Sequence, residues 1–96
     1  MLCIERNCPI CRYGMIGFRR CSDGETIVLM CDECDSVWLS PEEVDSAHAL
    51  YPPQPDFRVP TLECSVMEPQ SQWADSEDVT KKGWMSYVAG KRPGKI

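Results

Sequence analysis

Cys8-Pro9-Ile10-Cys11 and Cys31-Asp32-Glu33-Cys34 stand nineteen residues apart, and these two short hooks decide the fold. A tetrahedral structural zinc site needs four thiolates. The C-x2-C…C-x2-C spacing supplies them because each hook turns the backbone so that its two sulfurs reach one ion. The segment between the hooks then has only to make a hairpin to bring them together. A rubredoxin-like iron site uses the same four thiolates and stays open as the alternative metal.

The intervening sequence reads as that hairpin. Met15-Ile16-Gly17-Phe18-Arg19-Arg20-Cys21 leads through Ser22-Asp23-Gly24-Glu25 to Thr26-Ile27-Val28-Leu29-Met30. Asp-Gly between two apolar, β-prone runs is a strong short-range turn signal, since the turn wants positive φ and glycine supplies it. The second run is apolar throughout, so it belongs at the centre of a small sheet or is buried on both faces. A hairpin flanked by two knuckles is the architecture of a zinc ribbon.

Beyond the second hook, Ser40 reads as an N-cap with Pro41 at the first helical position, Glu43 closing a capping box, and Leu39 and Val44 as a hydrophobic staple. This predicts a helix from Pro41 to Leu50, stopping before Pro52-Pro53. Five prolines between 51 and 72 forbid regular structure and predict a linker or a loop draped on the surface, with a broken strand around Arg58–Met67. Trp73-Ala74-Asp75-Ser76-Glu77-Asp78-Val79 then echoes Trp38-Leu39-Ser40-Pro41-Glu42-Glu43-Val44. The echo reflects shared helix-start physics, acids at the positive end of the helix dipole, rather than an internal repeat. A second helix over Ser76–Lys82 with Gly83 as its stop follows. The expected fold is thus a small α+β domain: zinc ribbon and helix over 1–50, loop over 51–72, C-terminal helical arm over 73–90 and basic tail over 91–96.

The stretch from Cys8 to Val44 resembles the small bacterial zinc ribbons grouped with the transcription-factor-IIB type of zinc finger. The matching pieces are Cys8-Pro9-x-Cys11, the hairpin, and Cys31-x-x-Cys34 followed by Val37-Trp38-Leu39 and an acidic helix start. The resemblance implies one zinc on Cys8, Cys11, Cys31 and Cys34. That family usually has glycine after the second cysteine of each hook, where the backbone turns left-handed. Here those places hold Arg12 and Asp35, and Gly14 is the expected alternative place for the first bend.

Charge narrows the function. The chain carries a formal −5, unevenly spread. Residues 32–78 hold twelve acids against Arg58 alone, while residues 79–96 hold Lys81, Lys82, Lys91, Arg92 and Lys95 without an acid. A four-thiolate zinc centre adds about two negative charges more. Such a field repels phosphate and attracts a basic partner. The expectation is a protein-interaction or inhibitor module for a basic protein, of the physical type of immunity proteins that neutralise basic nuclease toxins. The runner-up is a nucleic-acid or transcription-associated ribbon using Arg6, Arg12, Arg19, Arg20 and the C-terminal lysines.

Trp38, Trp73, Trp84 and Tyr87 have two readings: core packing of the helices on the ribbon, or exposed anchors for the partner. Cys3, Cys21 and Cys64 read as small buried hydrophobes. No base is placed to activate a thiol, since His48 is the single histidine. Glu42, Glu43, Glu77 and Asp78 are explained as first-turn helix residues, and no phosphate loop or nucleophile elbow is present. The expectation is therefore no catalysis. Met1-Leu2-Cys3-Ile4 runs directly into charged residues, so no signal peptide is expected, and no apolar run approaches the ~20 residues of a membrane span. Reduced cysteines in a cytoplasmic protein point to metal rather than disulfide.

Overall fold

The computed structural model describes residues 1–91, which form strands β1 (Leu2–Asn7), β2 (Met15–Arg20), β3 (Ile27–Cys31), β4 (Val37–Trp38) and β5 (Gln72–Trp73), helix α1 (Ser76–Lys82) and strand β6 (Gly90–Lys91). The strands make one antiparallel sheet in the order β4-β3-β2-β1-β6, with β5 also paired to β2. The hairpin foreseen between the hooks is β2–β3, registered Ile16 to Cys31 and Phe18 to Leu29. Its turn is a wider loop than a two-residue one. Cys21 N–H donates to Thr26 carbonyl oxygen, and the Asp23 carboxylate accepts the Glu25 and Thr26 amides. Gly24 takes φ +77° there.

β3 explains the rest of the architecture. All five of its side chains are buried, and strand geometry sends alternate ones to opposite faces. Ile27, Leu29 and Cys31 join one cluster with Ile4, Ile16, Phe18, Trp38, Val44 and Val79. Val28 and Met30 join another with Cys21, Val37, Val59, Cys64 and Val66. A sheet apolar on both faces needs two covers. Val79 of α1 helps close the first face, and the loop of residues 57–66 closes the second.

That loop is draped, not free. Val59 N–H donates to Cys64 oxygen (2.9 Å), Val66 N–H to Phe57 oxygen (3.1 Å), and Arg58 bridges Ser65. The sequence suggested a broken strand here, and a single-bridge hairpin is what forms. Arg19 holds its exit. Its Nε donates to Ser71 Oγ (2.8 Å), one terminal nitrogen donates to the Val66 and Ser71 carbonyls (3.1 Å each), and the guanidinium lies 4.8 Å from the Trp73 ring centre. Burial pulls the Arg19 pKa downward, opposed by Glu68 nearby. Arg19 is 2% exposed, so it contributes to no basic face, contrary to the nucleic-acid argument that enlisted it.

Two expectations about helices are corrected. The helix over Pro41–Leu50 is only a 3-10 turn at Pro41–Glu43, and Ser40 caps no backbone amide. Beyond it the chain swings back so that Val37 and Leu50 exchange both backbone hydrogen bonds (2.9 and 2.7 Å). Pairing the outer edge of β4 wins over continuing the helix. The 73–90 segment is likewise no helical arm. It holds the seven-residue α1, foreseen at its true bounds, and a 3-10 turn at Met85–Tyr87. Strands at its two ends sew it to β2 and β1. Of the basic tail, Lys91 belongs to β6 and residues 92–96 lie outside the described residues. Among the described residues no helix is long and apolar enough to cross a membrane.

Candidate metal centre

Cys8 and Cys11 leave β1, and Cys31 ends β3 with Cys34 just beyond it. The β1–β2 and β2–β3 pairings therefore carry both hooks to one end of the sheet. All four sulfurs lie within 4.8 Å of one another. Cys8 Sγ is 3.7 Å from Cys34 Sγ, and Cys11 Sγ is 3.7 Å from Cys31 Sγ. A tetrahedron with metal–sulfur bonds of about 2.3 Å has edges of about 3.8 Å, so these contacts have the size of a four-thiolate metal site. The donor set fits zinc.

The two hooks are built alike. The amide two residues after the first cysteine donates to its sulfur in each: Ile10 N–H to Cys8 Sγ and Glu33 N–H to Cys31 Sγ, both 3.3 Å. Gly14 N–H donates to Cys11 Sγ and Cys34 N–H to Cys31 Sγ (3.4 Å each). The Ser36 hydroxyl lies 3.2 Å from Cys34 Sγ. Such amides stabilise sulfur as thiolate. Arg12 (φ +67°) and Asp35 (φ +63°) occupy the left-handed places themselves, so Gly14 does not take over the bend. Gly14 is needed for another reason: a Cβ there would stand 2.2 Å from Cys31 Sγ.

Burial and hydrogen bonding act unequally on three of the hook thiols. Burial pushes Cys8 and Cys31 up. Burial also acts to raise Cys11, but the Gly14 and Tyr13 amides and the neighbouring cysteines outweigh it and hold it at about 7. A divalent cation removes this conflict by binding all four as thiolates.

The aromatic residues proposed as partner anchors are placed unequally. Trp38 is wholly buried, its indole N–H donating to Asp45 oxygen at 2.8 Å, and no partner reaches it. Trp73 is half-buried beneath Arg19, and Trp84 is half-buried, its ring centre 6.3 Å from that of Phe18 with Lys82 above it. Tyr87 is exposed. Two exposed aromatics escaped the sequence reading. Tyr13 is 84% exposed on the first knuckle, and Tyr51 is 60% exposed. Tyr13 was legible in principle, because a residue just past a hook cysteine sits on a knuckle whose inner side faces sulfur.

Cys3, Cys21 and Cys64 are buried free thiols, as expected of small hydrophobes. His48 is exposed and bonded to the Asp45 carboxylate (2.8 Å), and it is not among the residues clustered at the metal site.

No family model and no solved structure matches the chain. Among curated proteins it is similar to Uncharacterized protein L48 of Acanthamoeba polyphaga mimivirus, 27% identical over 89 residues, which cover 84% of this chain and 72% of that protein.

Proposed function

We propose that the chain is a non-enzymatic zinc-ribbon module, akin to the transcription-factor-IIB type, that docks on a basic protein through an acidic surface organised by one structural zinc. The observation that carries this reading is the unbalanced acidic charge that begins in the second hook and continues beyond it. From Asp32 to Asp45 there are six acids and no lysine or arginine; Glu33 and Glu42 are exposed. A four-thiolate zinc centre adds about two negative charges beside the first three of these acids, Asp32, Glu33 and Asp35, which lie in or next to the second hook. Complementary charge of this kind speeds and orients association with a basic surface. An immunity-type role, neutralising a basic toxin, is one form of the proposal.

A nucleic-acid role has one observation in its favour. Arg6, Arg12 and Tyr13 are all exposed near the first hook, and an aromatic ring beside cations is what a stacked base requires. One experiment separates the two. Zinc-loaded protein is immobilised at moderate salt and offered native cell extract, half of it nuclease-treated. The expected result is a discrete basic protein in both halves, lost when Glu33→Lys and Glu42→Lys are combined. Recovery that vanishes with nuclease overturns the protein-partner reading, and should then depend on Arg12 and Tyr13.

The metal is tested separately. Cys31→Ser is expected to abolish stoichiometric metal and cooperative unfolding, because structural zinc contributes about 10–16 kcal/mol of folding free energy through all its ligands. A fully folded, metal-free Cys31→Ser protein would sink the ribbon assignment. Metal analysis of the wild type distinguishes zinc from iron.

A further inference from the structure

The second cluster, away from the metal centre, holds two thiols in one apolar environment. Cys21 follows β2 at the start of the hairpin loop, and Cys64 lies in the loop that covers the second face of the sheet. Both are buried, 0% and 4% exposed. Cys64 is near enough to Cys21 to help raise the Cys21 thiol pKa. The flanking backbone fixes this approach. Ser22 N–H donates to Ser65 oxygen (2.9 Å), and Ser65 N–H donates to Ser22 Oγ (2.9 Å). Forty-three sequence positions separate the two cysteines, so a bond between them would tie the draped loop to the hairpin.

We propose that Cys21 and Cys64 are an oxidisable pair that closes to a disulfide, clasping the loop of residues 57–66 to the hairpin while the four-thiol centre keeps its metal. The oxidant is a small-molecule disulfide such as oxidised glutathione. Cys64, on the loop, opens first and attacks one sulfur of the oxidant as thiolate, forming a mixed disulfide and expelling one thiolate. Cys21 sulfur then attacks Cys64 sulfur and expels the second. The two thiol protons pass to the two expelled thiolates, and two electrons reduce one oxidant to two thiols. Burial, followed by Cys64 itself, holds the Cys21 thiol far above the ordinary range. The exchange is therefore slow and gated by loop opening.

The hook cysteines cluster at the candidate metal centre, and Cys3 lies elsewhere, its thiol donating to Gly90 oxygen at 3.6 Å. These placements separate the pair from the other five cysteines.

The test equilibrates zinc-loaded protein in glutathione buffers from reducing to oxidising, then traps free thiols by acid and alkylation. Cleavage after Arg20 and Arg58 puts Cys21 and Cys64 on different fragments. The expected result is two thiols lost, the fragment carrying Cys64 joined through Cys21, and no zinc released to a chromogenic chelator. The oxidised form should be cut in the 51–72 loop on the order of tenfold more slowly, because a cross-link raises the cost of local opening. Cys64→Ala, checked for full metal content, should lose both effects. Linkage among hook cysteines with zinc release, any other pairing, or no linkage short of unfolding would overturn the proposal.

Discussion

Residues 38–44 and 73–79 read alike: tryptophan, a cap residue two positions on, acids in the first turn, valine at the end. The first makes a single 3-10 turn and the second an α-helix. Around the second, every local requirement is met. Asp75 accepts the Asp78 amide and Asp78 accepts the Asp75 amide, a complete capping box. Gly83 stops the helix at φ +81°, its N–H on Thr80 oxygen. Around the first, the Ser40 hydroxyl turns to the Glu43 carboxylate instead of the backbone. The chain beyond it has a better offer. Trp38 Nε1 bonds Asp45 oxygen, and Leu50 pairs with Val37 across the open edge of β4. An unpaired sheet edge is costly, and three hydrogen bonds that require the chain to turn back outweigh a start signal alone. A helix needs a compatible end as well as a cap.

The largest predicted effect removes the anchor of the non-helical copy. Trp38 is the largest fully buried side chain, so Trp38→Ala should cost about 3–5 kcal/mol in denaturant unfolding of the zinc-loaded protein. Hydrogen exchange at the Leu50 amide should rise with it. A cost under about 1 kcal/mol would show that the 45–50 turn is held by something other than the indole.

A middle-sized effect sharpens the contrast between the starts. Asp75→Ala removes a working cap and should cost about 1 kcal/mol. Ser40→Ala removes a hydroxyl that caps no amide and should stay within about 0.5 kcal/mol. Equal costs at the two sites would mean that Ser40 stabilises its turn as a cap after all.

What the chain declares locally is what could be read from it. The hooks, the hairpin and the bounds of α1 each depend on residues within a few positions of one another: Cys8 with Cys11, Asp23 with Gly24, Asp75 with Asp78 and Gly83. The four-cysteine site was legible in full for that reason, since a hairpin is the shortest way to join two hooks. The unread parts depend on distant partners. Leu50 pairs with Val37, thirteen positions back. Arg19 looks like a surface charge until Val66 and Ser71 arrive to accept its hydrogen bonds. The loop of residues 57–66 becomes cover only because Val28 and Met30 need it. β1 was not assigned because Leu2–Asn7 alternates weakly and gains its place by pairing with β2 and β6.

The smallest predicted effect lies in the segment that replaced the first helix, and it is a pH dependence. The Asp45 carboxylate accepts His48 N–H (2.8 Å) and the ring Nδ1 lies 2.8 Å away, with Glu43 at 3.8 Å from Nε2. The hydrogen bond to Asp45, then the Asp45 charge, raises the His48 pKa above its ordinary 6.5. The bond to His48 lowers the Asp45 pKa below its ordinary 3.8. A raised histidine stabilises fully below 6.5 and ceases to do so as pH rises through its folded value. A lowered carboxylate stabilises fully above 3.8 and ceases as pH falls through its folded value. The pair therefore contributes most between these two ordinary values and less toward alkaline pH. Both groups face solvent, so the effect is screened and small. The unfolding midpoint of wild type minus that of His48→Gln should be largest near pH 5.5 and shrink by about pH 8.5. The metal centre titrates equally in both proteins and cancels in the difference. A difference that stays flat with pH would mean that the Asp45 amide bond alone shapes the turn, and that the imidazole charge plays no part in keeping residues 45–50 out of a helix.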